Sequence, residues 1–145
     1  MKKRPIFPLV RRKRRIFALR NTRLLMNLQT EQLVGSIQAG IEEKKGRDIV
    51  VADFSNIAEA ICQAFVICTG NSPSHLQALT DSVEEFARKG VGARPAAIAG
   101  LRNAQWVAMD YGTVIVHLFL KDARDFYDLE HLWADAAITE IPNLD

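Results

Sequence analysis

Ala64-Phe65-Val66-Ile67-Cys68-Thr69-Gly70-Asn71-Ser72-Pro73 is the stretch on which the fold turns. Five consecutive apolar residues read as a short strand buried on both faces, since a half-buried strand would alternate. Thr69-Gly70-Asn71 supplies a tight turn. Ser72 then suits an N-cap, and Pro73 suits the first helical position, where its missing N–H is not needed. Leu76, Leu79, Val83 and Phe86 give the following helix its apolar stripe, with Gly90 as the expected end. Ala96–Ile98 reads as the next strand, so the segment as a whole predicts a βαβ unit.

Working outward, Thr30 is the expected N-cap of an earlier helix whose stripe is Leu33, Val34, Ile37 and Ile41. Lys44 and Lys45 place positive charge at its C-terminal end, and Gly46 closes it. Asp48–Phe54 is rich in β-branched residues and predicts a first strand. Ser55–Cys62 is balanced between an Ala-rich helix and irregular loop. Downstream, Trp106–Asp110 and Thr113–Leu120 flank Tyr111-Gly112, which argues a β-hairpin. Asp122 is the expected cap of a closing helix through Arg124, Phe126, Tyr127, Leu129, Leu132 and Trp133, with a break near Asp128. Beyond Asp135, with Pro142 near the end, fraying is expected. The order α-β-β-α-β-β-β-α places the chain in the α/β class, with a mixed β-sheet and helices packed on it.

A chain of 145 residues is one domain's worth. At 48% hydrophobic residues it can bury a core without disulfides or metal, and wholesale disorder is excluded. Two cysteines, Cys62 and Cys68, exclude a disulfide-stapled scaffold and a four-cysteine zinc site; both read as small core hydrophobes. No apolar run approaches the roughly 18–20 residues that span a bilayer, so the chain reads as soluble. The net charge of +2 hides an asymmetry. Residues 1–23 hold ten basic residues and no acidic one, whereas Leu24–Asp145 holds nine basic and seventeen acidic ones, a formal charge of −8.

That basic leader, with the run Arg11-Arg12-Lys13-Arg14-Arg15, has several readings. It can be a solvated arm that neutralises nucleic-acid phosphates. An organelle transit peptide would also be Arg-rich and free of acids, although Ser is absent here. A secretory signal fails for want of an uninterrupted apolar core. Alternatively, translation starts at Met26. The resulting division is a basic leader expected to lack stable structure over residues 1–25, a domain over 26–136, and a frayed tail over 137–145.

The chemistry of an enzyme is hard to assemble from these residues. A strand, Gly turn and helix is where backbone N–H groups hold phosphate, but Thr69–His75 lacks the spacing and Lys of a P-loop. A Gly-Ser turn also opens nucleotidyltransferase sites, which need two metal-binding acids one residue apart on a following strand. No such pair follows Gly70; Asp122 and Asp125 fall on a helix. His75, His117 and His131 make no metal-ligand spacing, and Ser72, His75 and Asp81 share one turn and helix, which is no triad geometry. His117 sits mid-strand on the face of Ile115 and Phe119, where a hydrogen-bonded, half-buried histidine is expected. No catalytic residue, metal site or cofactor is therefore predicted. What remains is surface: Trp106, Asp110, Tyr111, Phe119, Tyr127 and Trp133 cluster near the hairpin and closing helix, either as core or as an interaction face. Trp106 and Tyr111 are expected to share an exposed patch.

Three segments, FVICTGNSPSH (65–75), WVAMDYGTVIVHLF (106–119) and RDFYDLEHLW (124–133), resemble the ribosomal silencing factor family, also called Iojap-like. The likeness covers about Thr30 to Ala136. The pattern W-x3-D-Y-G-x-V-x-V-H-x-F followed by R-x-F-Y-x-L-E-x-L-W carries most of its specificity. The resemblance implies a nucleotidyltransferase-like fold without the catalytic acids, and a non-enzymatic translation repressor. Such proteins bind the large ribosomal subunit through its ribosomal protein fourteen and block joining of the small subunit when nutrients are scarce. Free members are often homodimers. By motif, the partner-binding positions are Trp106, Asp110, Tyr111, Gly112, His117, Arg124, Tyr127, Glu130 and Trp133. This chain departs from the pattern at Gln63, where many members carry Asp, and at Ala99, where many carry Glu before the glycine. The basic leader lies outside the pattern.

Two other functions compete: a nucleotidyltransferase-like or nucleotide-binding protein using the Thr69–His75 turn, and an RNA-binding module using the leader. For the acidic body, neither a membrane nor specific nucleic acid is an expected partner. The expected location is the cytoplasm, or an organelle if the leader is a targeting segment.

Overall fold

The computed structural model describes residues 27–57, 60, 62–131 and 136–144. Leu28–Glu43 forms α1, Arg47–Asp53 β1 and Ala64–Gly70 β2. Pro73–Val91 forms α2, Ala97–Ala99 β3, Trp106–Asp110 β4 and Val114–Leu120 β5. Lys121–Tyr127 forms α3, a single 3-10 turn spans Leu129–His131, and Ala137–Ile141 forms β6. The six strands make one mixed sheet in the order β3-β4-β5-β2-β1-β6. β2 and β5 are parallel, from Ala64 opposite Val114 to Gly70 opposite Leu120; the other neighbouring pairs are antiparallel.

The continuous apolar run sits where it was expected. β2 lies between β1 and β5, and six of its seven residues are buried, so no solvent face exists to demand alternation. One face carries Val51, Val66, Cys68, Val107, Met109, Val116 and Leu118 against Leu33, Ile37 and Ile41 of α1 and Leu76, Leu79 and Val83 of α2. Each such side chain contributes about 1.5–3 kcal/mol on full burial. The two helices are tied where the Ser82 hydroxyl donates to the Gly40 carbonyl at 2.7 Å. The opposite face carries Val50, Ala52, Phe65, Ile67 and Phe119, covered by Phe54, Ile57, Cys62, Leu129 and Ala136. Between β1 and β2 the described residues 55–57, 60 and 62 are irregular; the rest of the Ser55–Cys62 segment lies outside the described residues.

Several expectations need correction. The N-cap of α1 is Asn27, whose Oδ1 accepts from the Thr30 N–H at 2.8 Å. Thr30 itself is buried one turn inside. Gly90 does not end α2; α1's Ser36 packs on it, and the helix runs to Val91 and closes at Gly92, φ 70°. β3 follows α2 but does not neighbour β2, because β4 and β5 lie between them, so the βαβ reading fails as an adjacent pair. Asp122 does not cap α3: Leu120 occupies the N-cap with no side-chain bond, since the helix leaves β5 without a connecting residue. The break at Asp128 is real, with φ 50°.

The largest correction is the tail. Residues 137–141 do not fray; they form β6, paired to β1 from Ala137 opposite Asp53 to Ile141 opposite Ile49. Asn143 then locks the end, its Oδ1 accepting from the Asp48 N–H at 2.7 Å and its Nδ2 donating to Asp48 Oδ1 at 3.2 Å. The pairing gives the otherwise open edge of β1 its hydrogen bonds, which a central, buried strand requires. The leader over 1–25 lies outside the described residues.

Candidate docking face on the hairpin

The Thr69–His75 turn has the shape of an anion site, but its Asn71 and His75 N–H groups are engaged within the chain. The Ser72 hydroxyl accepts from the His75 N–H at 3.1 Å, and His75 Nδ1 accepts from the Asn71 N–H at 2.9 Å. With Nδ1 accepting, Nε2 donates to the Lys44 carbonyl at 2.7 Å, pinning the ring across the turn to the end of α1. Among the described residues, no three His, Cys, Asp or Glu side chains could hold a metal ion together. No described helix is long and apolar enough to cross a membrane.

Another constellation forms on the hairpin. The register sets Trp106 opposite Phe119, Ala108 opposite His117 and Asp110 opposite Ile115, all on the face away from α1 and α2. Trp106 is partly exposed. Its indole stacks on Phe119 at 5.1 Å between centroids and meets the Tyr127 ring of α3 at 4.5 Å. Its Nε1–H donates to His117 Nδ1 at 3.1 Å. An indole nitrogen can only donate, so Nδ1 is the acceptor and the neutral imidazole carries its proton on Nε2. That Nε2 is buried and has no hydrogen-bond partner.

His117 is 2% exposed, and Phe65 meets it edge to face at 4.4 Å. Desolvation alone pushes its pKa down to about 3. The hydrogen-bonded histidine read from the strand is therefore present, but fully rather than half buried. Phe65, which pattern matching on the hairpin passed over, supplies the floor of this group; its place in the parallel neighbour β2 was the available signal.

At the hairpin's tip, Asp110 Oδ1 accepts from the Gly112 N–H at 2.8 Å. Gly112 takes φ 86°, which a side chain would strain, so both are turn-building residues. Tyr111 packs on the other side of the sheet, against the core under α1 and α2. Its hydroxyl oxygen is buried without a partner, and burial, with Glu84 nearby, raises its pKa to about 12. The shared Trp106–Tyr111 patch is thus not formed, because strand alternation, which sets Trp106, Ala108 and Asp110 on one face, carries Tyr111 to the other with Val107 and Met109.

Arg124 is 8% exposed and points inward, donating from Nη1 to the Asp48 carbonyl at 2.6 Å and to Thr69 Oγ1 at 2.9 Å. It fastens α3 to β1 and β2. Phe126, absent from the motif positions singled out above, is 44% exposed and meets Tyr127 edge to face at 5.0 Å. Its place one residue from Tyr127 made it visible in the sequence. Glu130 lies in the 3-10 turn, and Trp133 is outside the described residues. Of the two departures, Gln63 begins the approach to β2 with its Oε1 buried and unpartnered, and Ala99 ends the edge strand β3 opposite Ala108. The cysteines are core residues, as expected: Cys62 and Cys68 are buried, and desolvation raises both thiols to about 12.

Comparison with known proteins agrees with this architecture. A ribosomal silencing factor of Bacillus subtilis is 35% identical over 103 residues, 71% of this chain and 86% of that protein. A crystal structure of a Chromobacterium violaceum protein superposes with a TM-score of 0.66 at 32% identity, covering 74% of this chain and 87% of that one. A crystal structure from Bacillus halodurans gives 0.62 at 30% identity, covering 79% and 98%. The family model described as "Ribosomal silencing factor during starvation" matches residues 27–145. With the family's sequence pattern and its mixed α/β fold both present, this chain belongs to the ribosomal silencing factor family.

Proposed function

We propose that the chain represses translation without catalysis. It docks on the large ribosomal subunit through that subunit's ribosomal protein fourteen and sterically prevents the small subunit from joining when nutrients are limiting. The observation that carries this reading is the partly exposed aromatic group of Trp106, Tyr127 and Phe126, set on a body of formal charge −8. Asp110, Asp122 and Asp125 are exposed on the hairpin and helix that bear it. Such a surface suits a basic ribosomal protein better than bare RNA. Aromatic anchors supply most of the affinity in protein interfaces, and complementary charge accelerates encounter.

Engagement of the Asn71 and His75 N–H groups within the chain supports a non-catalytic reading of the Gly70 turn. The proposed setting is the cytoplasm, and the free chain is proposed to self-associate as a homodimer, which sedimentation equilibrium measures. The main test is sucrose-gradient sedimentation of purified subunits with this protein. Co-migration with the large subunit and loss of joined ribosomes is the expected result. Unchanged joining at saturating protein overturns the reading, and magnesium-dependent nucleotide binding by calorimetry would favour an enzyme instead.

A further inference from the structure

As core filling, His117 is a poor choice. It lies among Phe65, Trp106 and Phe119, and its buried Nε2–H finds no acceptor. An apolar ring of similar size would pack there without that unsatisfied donor. What the imidazole adds is its other nitrogen, the acceptor for the Trp106 indole at 3.1 Å. Stacking on Phe119 and Tyr127 limits the plane of the indole, but stacked rings can slide and invert; one directional bond removes that freedom.

We propose that His117 is a positioning residue, which by accepting the indole N–H fixes the single orientation in which Trp106 is presented at the docking face. It does not touch the partner, because it is buried beneath Trp106 and the neighbouring rings. The inference rests on the docking reading above, and it separates His117 from the motif positions that could meet a partner directly. Rigid presentation matters because a side chain already held in its bound rotamer loses less entropy on association.

The test uses the full chain, three variants at His117 and one at Trp106. His117→Phe keeps an aromatic ring and removes the acceptor; His117→Leu does the same with a smaller side chain, should the phenyl ring disturb packing. His117→Asn restores an acceptor, Oδ1, near the position of Nδ1. The Trp106 indole N–H resonance, assigned by its loss in Trp106→Phe, reports the bond without any ribosome present. In His117→Phe and His117→Leu the indole proton should shift and exchange with solvent at least tenfold faster, while circular dichroism stays native. Large-subunit binding should weaken about tenfold in both, and His117→Asn should recover the indole signal and most of the affinity. Wild-type affinity in a variant whose indole signal is lost overturns the proposal. So does an equal loss of affinity in His117→Asn despite a restored signal. If wild-type protein does not bind the subunit, the docking reading fails instead, and the indole measurement still shows whether His117 holds Trp106.

Discussion

At the scale of single residues, two side chains carry opposite expectations from similar surroundings. His117 is neutral in the fold with a pKa near 3, whereas an exposed histidine titrates near 6.5. The unfolded chain therefore binds a proton at higher pH than the folded one. Its contribution is fully present above pH 6.5 and is lost as pH falls from there towards 3, at about 1.4 kcal/mol per pH unit. Urea melts of wild type and His117→Asn between pH 7 and pH 4 should diverge with that slope, the variant losing less. Trp106 and Tyr111 separate in the same way. Trp106→Ala should weaken subunit binding by about 2 kcal/mol, as for a hot-spot aromatic, with some loss of stability from its contact with Phe119. Tyr111→Phe should leave binding unchanged and stability within about 1 kcal/mol of wild type, because its buried hydroxyl has no partner to lose. Isothermal titration and denaturant melts distinguish the two.

At the scale of elements, legibility tracked whether the signal was local. The apolar run of β2, the Ser72-Pro73 start of α2 and the Asp110–Gly112 turn each carry their own instructions within a few residues. β6 does not. Ala137-Ile138-Thr139-Glu140-Ile141 alternates weakly, and it becomes a strand because the edge of β1, more than eighty residues earlier, is free to receive it. The N-cap was misplaced by one turn because Asn27 and Thr30 are both good caps, and only burial of Thr30 against the core decides between them. The site was half legible: alternation places Trp106 with Asp110 and sends Tyr111, five residues from Trp106, to the opposite face, so the spacing itself argued against a patch shared by the two rings. Arg124 read as a surface motif residue and is a buried fastener of α3. Arg124→Met should destabilise the protein by about 3 kcal/mol, since it removes charged hydrogen bonds to Asp48 and Thr69, and differential scanning calorimetry would register it.

For the whole molecule, the division of charge makes the clearest expectation. A chain beginning at Met26 should match the full chain in thermal stability and subunit binding, since the family model matches from residue 27 onward. With ribosomal protein fourteen immobilised, added salt should slow association of this shortened chain more than it speeds dissociation. The Debye length falls from about 8 Å at physiological ionic strength to about 3 Å at 1 M, which screens steering but leaves aromatic contacts intact. Surface plasmon resonance separates the two rates. Strong competition by naked ribosomal RNA would count against docking on a protein.

The bond pair between Asp48 and Asn143 spans 95 positions of sequence and fastens the edge strand β6 beside β1. Closing so large a loop is a slow step, because its entropy is surrendered before the contact returns anything. β2, held on both sides, can only open with the whole sheet, whereas β6 can peel from one side by itself. Hydrogen exchange should therefore run in a fixed order, amides of the edge strands β3 and β6 exchanging before those of β2, which exchange last. Folding should follow the reverse sequence, the sheet's centre consolidating before β6 zips shut against β1.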